Sequence, residues 1–276
     1  ILVSIISSNF NHNNVTNNGG SLFLNVGAYV SNCVFDSEHA DNDGGAIYLN
    51  SIITDTSSIP QSILDYLGVF NSNMTHCSAG HDGGAGYINA SHGTVRDVLF
   101  AYCSAGHDAG AGYVNGNYGK LLSTTFINNT ATERGGAIGS SQNYLVVENC
   151  LFENNTAKRG SAYMLAGIDH GLDGIPEGHY NSIINSTFKN NVGTEEGGAV
   201  HITGNNNKAI NCTFLDNYAT EGNGSAIYVH GNNSSVIDSE FYHHECSRGT
   251  VYIIGDNTII DNSIFENNTA SRGGAG

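Results

Sequence analysis

The sequence predicts an all-β chain wound as a parallel β-helix of about ten coils of ~26 residues each, and three observations predict it. An aromatic slot recurs at a fixed period: Met74 (in the Phe position), Phe100, Phe126 and Phe152 are each 26 residues apart, as are Phe188 and Phe214, while Phe241 and Phe265 follow at 27 and 24. Each slot is preceded and followed by a short run alternating between β-branched or aromatic residues and small or polar ones, the period of a strand. Between the runs stand Asn and Gly, with 36 Gly and only two Pro in the chain. A unit this small cannot bury its apolar face alone. Stacked coils can, about 4.8 Å apart, with equivalent residues in columns along the axis.

The elements follow in order through each repeat. Ile1 to Ser7 reads as the strand entering the first unit. The runs Leu122-Ser123-Thr124-Thr125-Phe126 and Ile184-Asn185-Ser186-Thr187-Phe188 read as single strands with the aliphatic, small and Phe positions on the inner face. Cys33, Cys150 and Cys212, two residues before a Phe, then fill inward space as free thiols beside Ser72, Thr124, Ser186 and Ser239. Three residues after the Phe, Asn129, Asn155, Asn191, Asn217 and Asn268 form a ladder at a bend, where Asn tolerates left-handed backbone. The Gly pair makes a tighter bend. The next run, as in Ala46-Ile47-Tyr48-Leu49, puts Ile47 and Leu49 inside and Tyr48 outside.

The whole of 1–276 is read as one β-helix section with insertions near 51–69 and 166–179, the first containing a short helix in Pro60 to Gly68. The run stops at Gly273–Gly276 in mid-repeat without a polar cap, which predicts a longer parent protein. A net charge of -16 on only nine Lys and Arg argues against nucleic acid and anionic membrane as partners. No apolar run reaches the roughly 20 residues of a membrane-spanning helix.

F-x-x-N occurs at Phe126/Asn129, Phe152/Asn155, Phe188/Asn191, Phe214/Asn217 and Phe265/Asn268, and GGA plus an aliphatic residue at Gly44–Ile47, Gly135–Ile138 and Gly197–Val200. This paired signature resembles the passenger repeats of chlamydial polymorphic membrane proteins and the β-helical adhesin-like surface proteins of methanogenic archaea. The resemblance implies a right-handed β-helix displayed on a cell surface for adhesion. No C-terminal barrel of the autotransporter kind is visible in the chain.

Several groups are candidates for chemistry. Cys77-Ser78-Ala79-Gly80-His81-Asp82 is nearly repeated by Cys103-Ser104-Ala105-Gly106-His107-Asp108 one period later. Cys77 and Cys103 are a disulfide candidate, the four residues Cys77, His81, Cys103 and His107 a zinc candidate, and an inward small-residue ladder with solvent-facing His the plain alternative. His243-His244-Glu245-Cys246 is read as an ordinary turn before a metal site. The column Tyr48, Tyr87, Tyr113, Tyr163, His201, Tyr228 and Tyr252 is expected to face outward, either as a platform for sugar rings or a protein neighbour, or as packing that stiffens the sheet. Sequons at Asn128, Asn154 and Asn267 share one slot and would carry glycans along one edge. Asp169, His170, Asp173, Glu177 and His179 form an acidic insertion that could hold Ca²⁺, with no other cofactor expected.

These features favour an extracellular, cell-surface adhesin or structural repeat protein without catalysis, whose partners are surface glycans or proteins of a host or neighbouring cell. A self-associating fibre, sheath or surface layer is the second reading. A polysaccharide lyase or hydrolase on the same fold is the third, and it needs carboxylates grouped with Arg or Lys.

Overall fold

A computed structural model describes residues 2–51, 59–165 and 178–274. Each complete coil supplies four short strands, shown by Lys120–Leu122, Thr125–Ile127, Thr130–Ala131 and Ile138–Ser140. Like strands of successive coils pair in parallel, giving three ten-stranded sheets and one of nine strands. We call them A, B, C and D in the order the chain visits them. The only described helix is Gln61–Leu64, within the first insertion. Its last residue Leu64 and the following Leu67 are buried.

Each coil has four strands where the sequence shows only a run before and a run after each aromatic slot. The run before each Phe is broken by a left-handed residue, Ser123 (φ 48°) in one coil and Asn185 (φ 49°) in another. The chain turns there from sheet A to sheet B. Leu121 and Ile183 therefore point inward, while Leu122 and Ile184 are only half-buried. Thr124, Ser186 and the Phe positions keep the inward direction expected of them.

The core is a set of columns. Phe126, Phe152, Phe188, Phe214 and Phe241 are fully buried and stack at centroid distances of 4.7, 4.8, 4.8 and 4.9 Å. Apolar burial of this kind is the main stabilising term, at about 25 cal/mol per Å². Beside it runs the Asn ladder. Asn155 Oδ1 accepts the backbone N–H of Asn129 at 3.0 Å, and its Nδ2 donates to the carbonyl of Phe126 at 3.0 Å and to Asn191 Oδ1 at 3.0 Å. Each ladder side chain thus satisfies an amide of the coil before it, which the bend would leave unpaired. Cys103 N–H donates to Asn129 Oδ1 at 3.0 Å, so the thiol residues continue the same column.

The left-handed position belongs to the residue before the ladder, not to the ladder Asn. Asn128, Asn154 and Asn267 carry φ of 55°, 56° and 57°. Two adjacent Asn therefore do different work: the first supplies the backbone conformation and the second the buried amide. A second, shorter ladder accompanies the inward Cys. Ser186 Oγ accepts Cys150 N–H at 3.2 Å and Ser239 Oγ accepts Cys212 N–H at 3.2 Å. At the C-to-D turn the first Gly of each pair is left-handed, as at Gly83 (φ 67°) and Gly135 (φ 63°), and Ala109 takes the same conformation (φ 61°) in the coil between.

Candidate functional site

The outward column of sheet D was the first candidate surface. In the observed register it runs Phe23, Tyr48, Tyr87, Tyr113, Gly139, Met164, His201, Tyr228 and Tyr252. Tyr163 is not in it. It pairs with Ile138 and Val200 in the inward column and is fully buried. The inward position follows the Ala of the turn, so Ala162-Tyr163 corresponds to Ala46-Ile47 and Met164 to Tyr48.

Exposure of the rest of that column is also corrected. Tyr113, His201 and Tyr228 are buried, and Tyr48, Tyr87 and Tyr252 are half-buried. Two causes are visible. The Gly turn folds back onto the column, so that a Cβ on Gly160 would stand 3.1 Å from His201 Cβ. Gly139 leaves a gap that the Tyr113 ring covers, 3.2 Å from where a Cβ would be. Tyr48, Tyr87 and Tyr113 stack face to face at 5.1 and 5.2 Å. Their faces are occupied by one another, so the column stiffens the sheet and offers no face to a sugar ring. Burial pushes the Tyr87 phenol up to about 12.

A second aromatic column lies at the corner where sheet D passes to sheet A. His92, Tyr118, Tyr144 and Tyr180 occupy one position in successive coils, stacked at 5.0, 4.8 and 5.2 Å. Tyr118, Tyr144 and Tyr180 are 47%, 41% and 52% exposed. All four are left-handed, with φ from 59° to 62°. Such backbone costs a bulky residue on the order of 1–2 kcal/mol, and three later coils fill the position with Asn206, Asn233 and Asn257. Both insertions leave from this same corner. The sheet D strand Ile47–Ser51 precedes the first, and Tyr163–Leu165 precedes the second. Tyr66, in the described part of the first insertion, is 56% exposed and meets the edge of Tyr29 at 5.6 Å. Sequence reasoning missed this column because a Tyr before a strand carries no local sign of φ. The 26-residue spacing of Tyr118 and Tyr144 was the available signal.

The Cys–His group separates into two sides. Cys77 and Cys103 point inward as buried free thiols. Their hydrogen bond to one another and burial raise the Cys77 thiol far above its usual range. The disulfide expectation is corrected: in-register parallel neighbours have parallel Cα–Cβ bonds. That holds the Cβ atoms near the ~4.8 Å strand spacing, whereas a bridge needs ~3.5–4.5 Å, and both thiols are free. His81 and His107 lie on the outer side, so the four residues do not converge on a zinc ion. Cys33, Cys150 and Cys212 are buried free thiols as expected. His244 is a ladder residue: its Nδ1 accepts Asn217 N–H at 3.2 Å and its Nε2 donates to the Phe214 carbonyl at 3.2 Å. Asn154 and Asn267 are exposed and Asn128 is half-buried, on one outer corner. Asp169, His170, Asp173 and Glu177 lie outside the described residues.

Charged residues gather on the turn between sheets C and D. Arg134, Lys158 and Arg159, three of the nine Lys and Arg, line an open hollow of about 290 Å³ with His107, Glu133 and Glu195. Lys158 pairs with Glu133 at 2.5 Å and Arg159 with Glu195 at 2.6 Å. Cations that look scattered in the sequence are neighbours here because the repeat brings one turn from each coil to the same edge.

Three segments of the chain, 32–50, 123–141 and 185–203, match the Chlamydia polymorphic membrane protein repeat. Each begins on the left-handed residue of the A-to-B bend (Asn32, Ser123 or Asn185) and ends on sheet D or within one residue of it. The chain therefore carries repeats of this type in a β-solenoid, and that repeat suggests a surface-exposed β-helical protein. No curated protein and no solved structure matches the chain.

Proposed function

We propose that the chain belongs to an extracellular, surface-displayed β-helical protein acting without catalysis as an adhesin or structural element, and that its binding edge is the corner between sheets D and A. The observation that carries this is the coincidence of an exposed, conformationally costly aromatic ladder with both insertions. Left-handed Tyr at the surface costs free energy that Asn in the same column avoids, so a gain elsewhere has to retain it. The ladder presents ring edges and phenol hydroxyls, one set per coil. A partner with repeating hydroxyl or carbonyl groups fits that pattern, as in a surface glycan or an extended peptide of a neighbouring cell.

The test compares the native chain with Tyr118→Asn/Tyr144→Asn/Tyr180→Asn on a glycan array and in cell-attachment assays. Loss of binding with an unchanged far-UV CD spectrum is expected. Equal binding by both proteins would reject this edge.

The charged hollow favours one second reading, a polysaccharide-cleaving enzyme, because Glu133 and Glu195 stand there with Arg134 and Arg159. Carboxylates beside cations are the equipment of acid–base cleavage of acidic sugars. New reducing ends or unsaturated products from an acidic polysaccharide, absent with Arg134→Gln, would support it.

A further inference from the structure

We infer that the edge between sheets C and D binds a divalent transition-metal ion of the zinc class through His81, Asp82 and His107. The site lies on the opposite side of sheet D from the aromatic corner and is independent of the adhesin reading, and it borders the charged hollow through His107. One ligand atom from each of the three residues lies within 4.8 Å of the other two. Asp82 stands between the two histidines: Oδ2 is 3.2 Å from His81 Nδ1 and Oδ1 is 3.2 Å from His107 Nδ1. The imidazoles stack one coil apart at 4.9 Å and 9°. Two imidazoles and a carboxylate are the donor set that suits zinc and its neighbours.

The spacing is compatible with one ion. Bonds of ~2.0–2.1 Å in a tetrahedral shell put ligand atoms roughly 3.4 Å apart. An Asp82 oxygen already stands 3.2 Å from each nitrogen, and the two nitrogens, within 4.8 Å of one another, have to draw together around the ion. His81 is exposed and free to make that movement. The surroundings supply charge and orientation. Asp43 Oδ1 lies 3.3 Å from His81 Nδ1, and Asp108 Oδ2 lies 3.5 Å from His107 Nδ1. Parallel stacking places Asp43, Asp82 and Asp108 in consecutive coils, with like charges one strand spacing apart. Arg134 answers one of them, bonding Asp108 at 2.8 Å. Among the described residues no Lys or Arg is paired with Asp43 or Asp82, so a bound dication neutralises a column that the fold itself has charged. The sequence pattern His-Asp one period apart placed these groups. The structure removes the thiols from the set and puts the Asp in their place.

Zn²⁺ binding by the native chain is measured at pH 7.5 by calorimetry and by metal analysis after dialysis, with Co²⁺ absorption as the reporter of nitrogen and oxygen ligands. One ion per chain is expected, with affinity at least tenfold weaker in His81→Asn/His107→Asn. Asn is the resident at this position one coil earlier, Asn42, so the variant keeps the turn. His76→Asn is the control, because His76 pairs with Asp36 at 3.0 Å on a different corner. It should bind as the native chain does. The inference is overturned if the native chain takes up no stoichiometric Zn²⁺, if the double variant binds as tightly, or if His76→Asn weakens binding equally.

Discussion

Replacing Asn155 by Ala tests whether the buried amide ladder, and not the aromatic column alone, holds the coils in register. Asn155 is fully buried and its side chain makes four hydrogen bonds of 3.0 Å each, with Asn129 N, Asn129 Nδ2, the Phe126 carbonyl and Asn191 Oδ1. Alanine leaves Asn129 N–H, one Asn129 amide proton and the Phe126 carbonyl without those partners. Asn191 Oδ1 keeps Asn155 N–H at 3.0 Å. Each buried group left unpaired costs about 1–3 kcal/mol, so roughly 3–6 kcal/mol is expected after partial relaxation. The assay is urea denaturation followed by far-UV CD, read as a midpoint shift at constant slope. Two companions sharpen it. Asn155→His should lose about half as much or less, since His244 already serves the slot as both acceptor and donor. Asn128→Ala should cost only about 1 kcal/mol, the strain of left-handed backbone without an orphaned group. A loss below about 1 kcal/mol for Asn155→Ala, or equal losses for Ala and His, would refute the assignment of the ladder as a structural requirement.

Other outcomes follow from the same geometry. Tyr144→Asn removes two ring contacts worth about 0.5–1.5 kcal/mol each and relieves about 1–2 kcal/mol of backbone strain. Its thermal midpoint should therefore stay close to native even where binding is lost, and a large fall would make the ladder structural. Burial holds His201 at about 3 and lowers His244, both below the ~6.5 of an unfolded histidine. The unfolded chain then binds protons first, so stability is full above pH 6.5 and falls by up to about 1.4 kcal/mol per pH unit per histidine below it. His201→Met, with the residue that precedes it in the column, should flatten urea midpoints between pH 8 and 5; an unchanged slope would contradict this. All six Cys are buried and free, so a thiol reagent should label none in the native state and all six after denaturation. Only four labels after denaturation without reductant, or a mobility change with reductant, would restore the disulfide between Cys77 and Cys103, and rapid labelling of the native chain would contradict their burial.

Much of the architecture is legible in the sequence. The 26-residue spacing requires stacking, because no single coil buries its own aromatic residue, and stacking requires parallel columns of Phe, Asn and Cys. The buried amides of Asn129, Asn155, Asn191 and Asn217 follow from their place in that repeat. What a period cannot report is a left-handed residue inside an alternating run. Ser123 and Asn185 split apparent single strands in two, and no side-chain pattern distinguishes a corner from a pleat at one residue. The same blindness to φ hid the exposed ladder of Tyr118, Tyr144 and Tyr180, whereas the inward place of Tyr163 was readable by aligning Ala162 with Ala46.

The sequence by itself determined the solenoid, its coil length, the contents of its inner columns and the inward thiols, since all of these depend only on which residues recur and on their need for burial. The tertiary structure alone decided what faces solvent: the burial of the Tyr113 ring over Gly139 and of His201 against its Gly turn, the corner shared by the insertions and an exposed aromatic ladder, and the turn edge where His81, Asp82 and His107 meet. Neighbours along the axis are set by the period, but neighbours around the coil are set by the angle at each bend. Those angles come from single backbone conformations that residue identity permits without dictating.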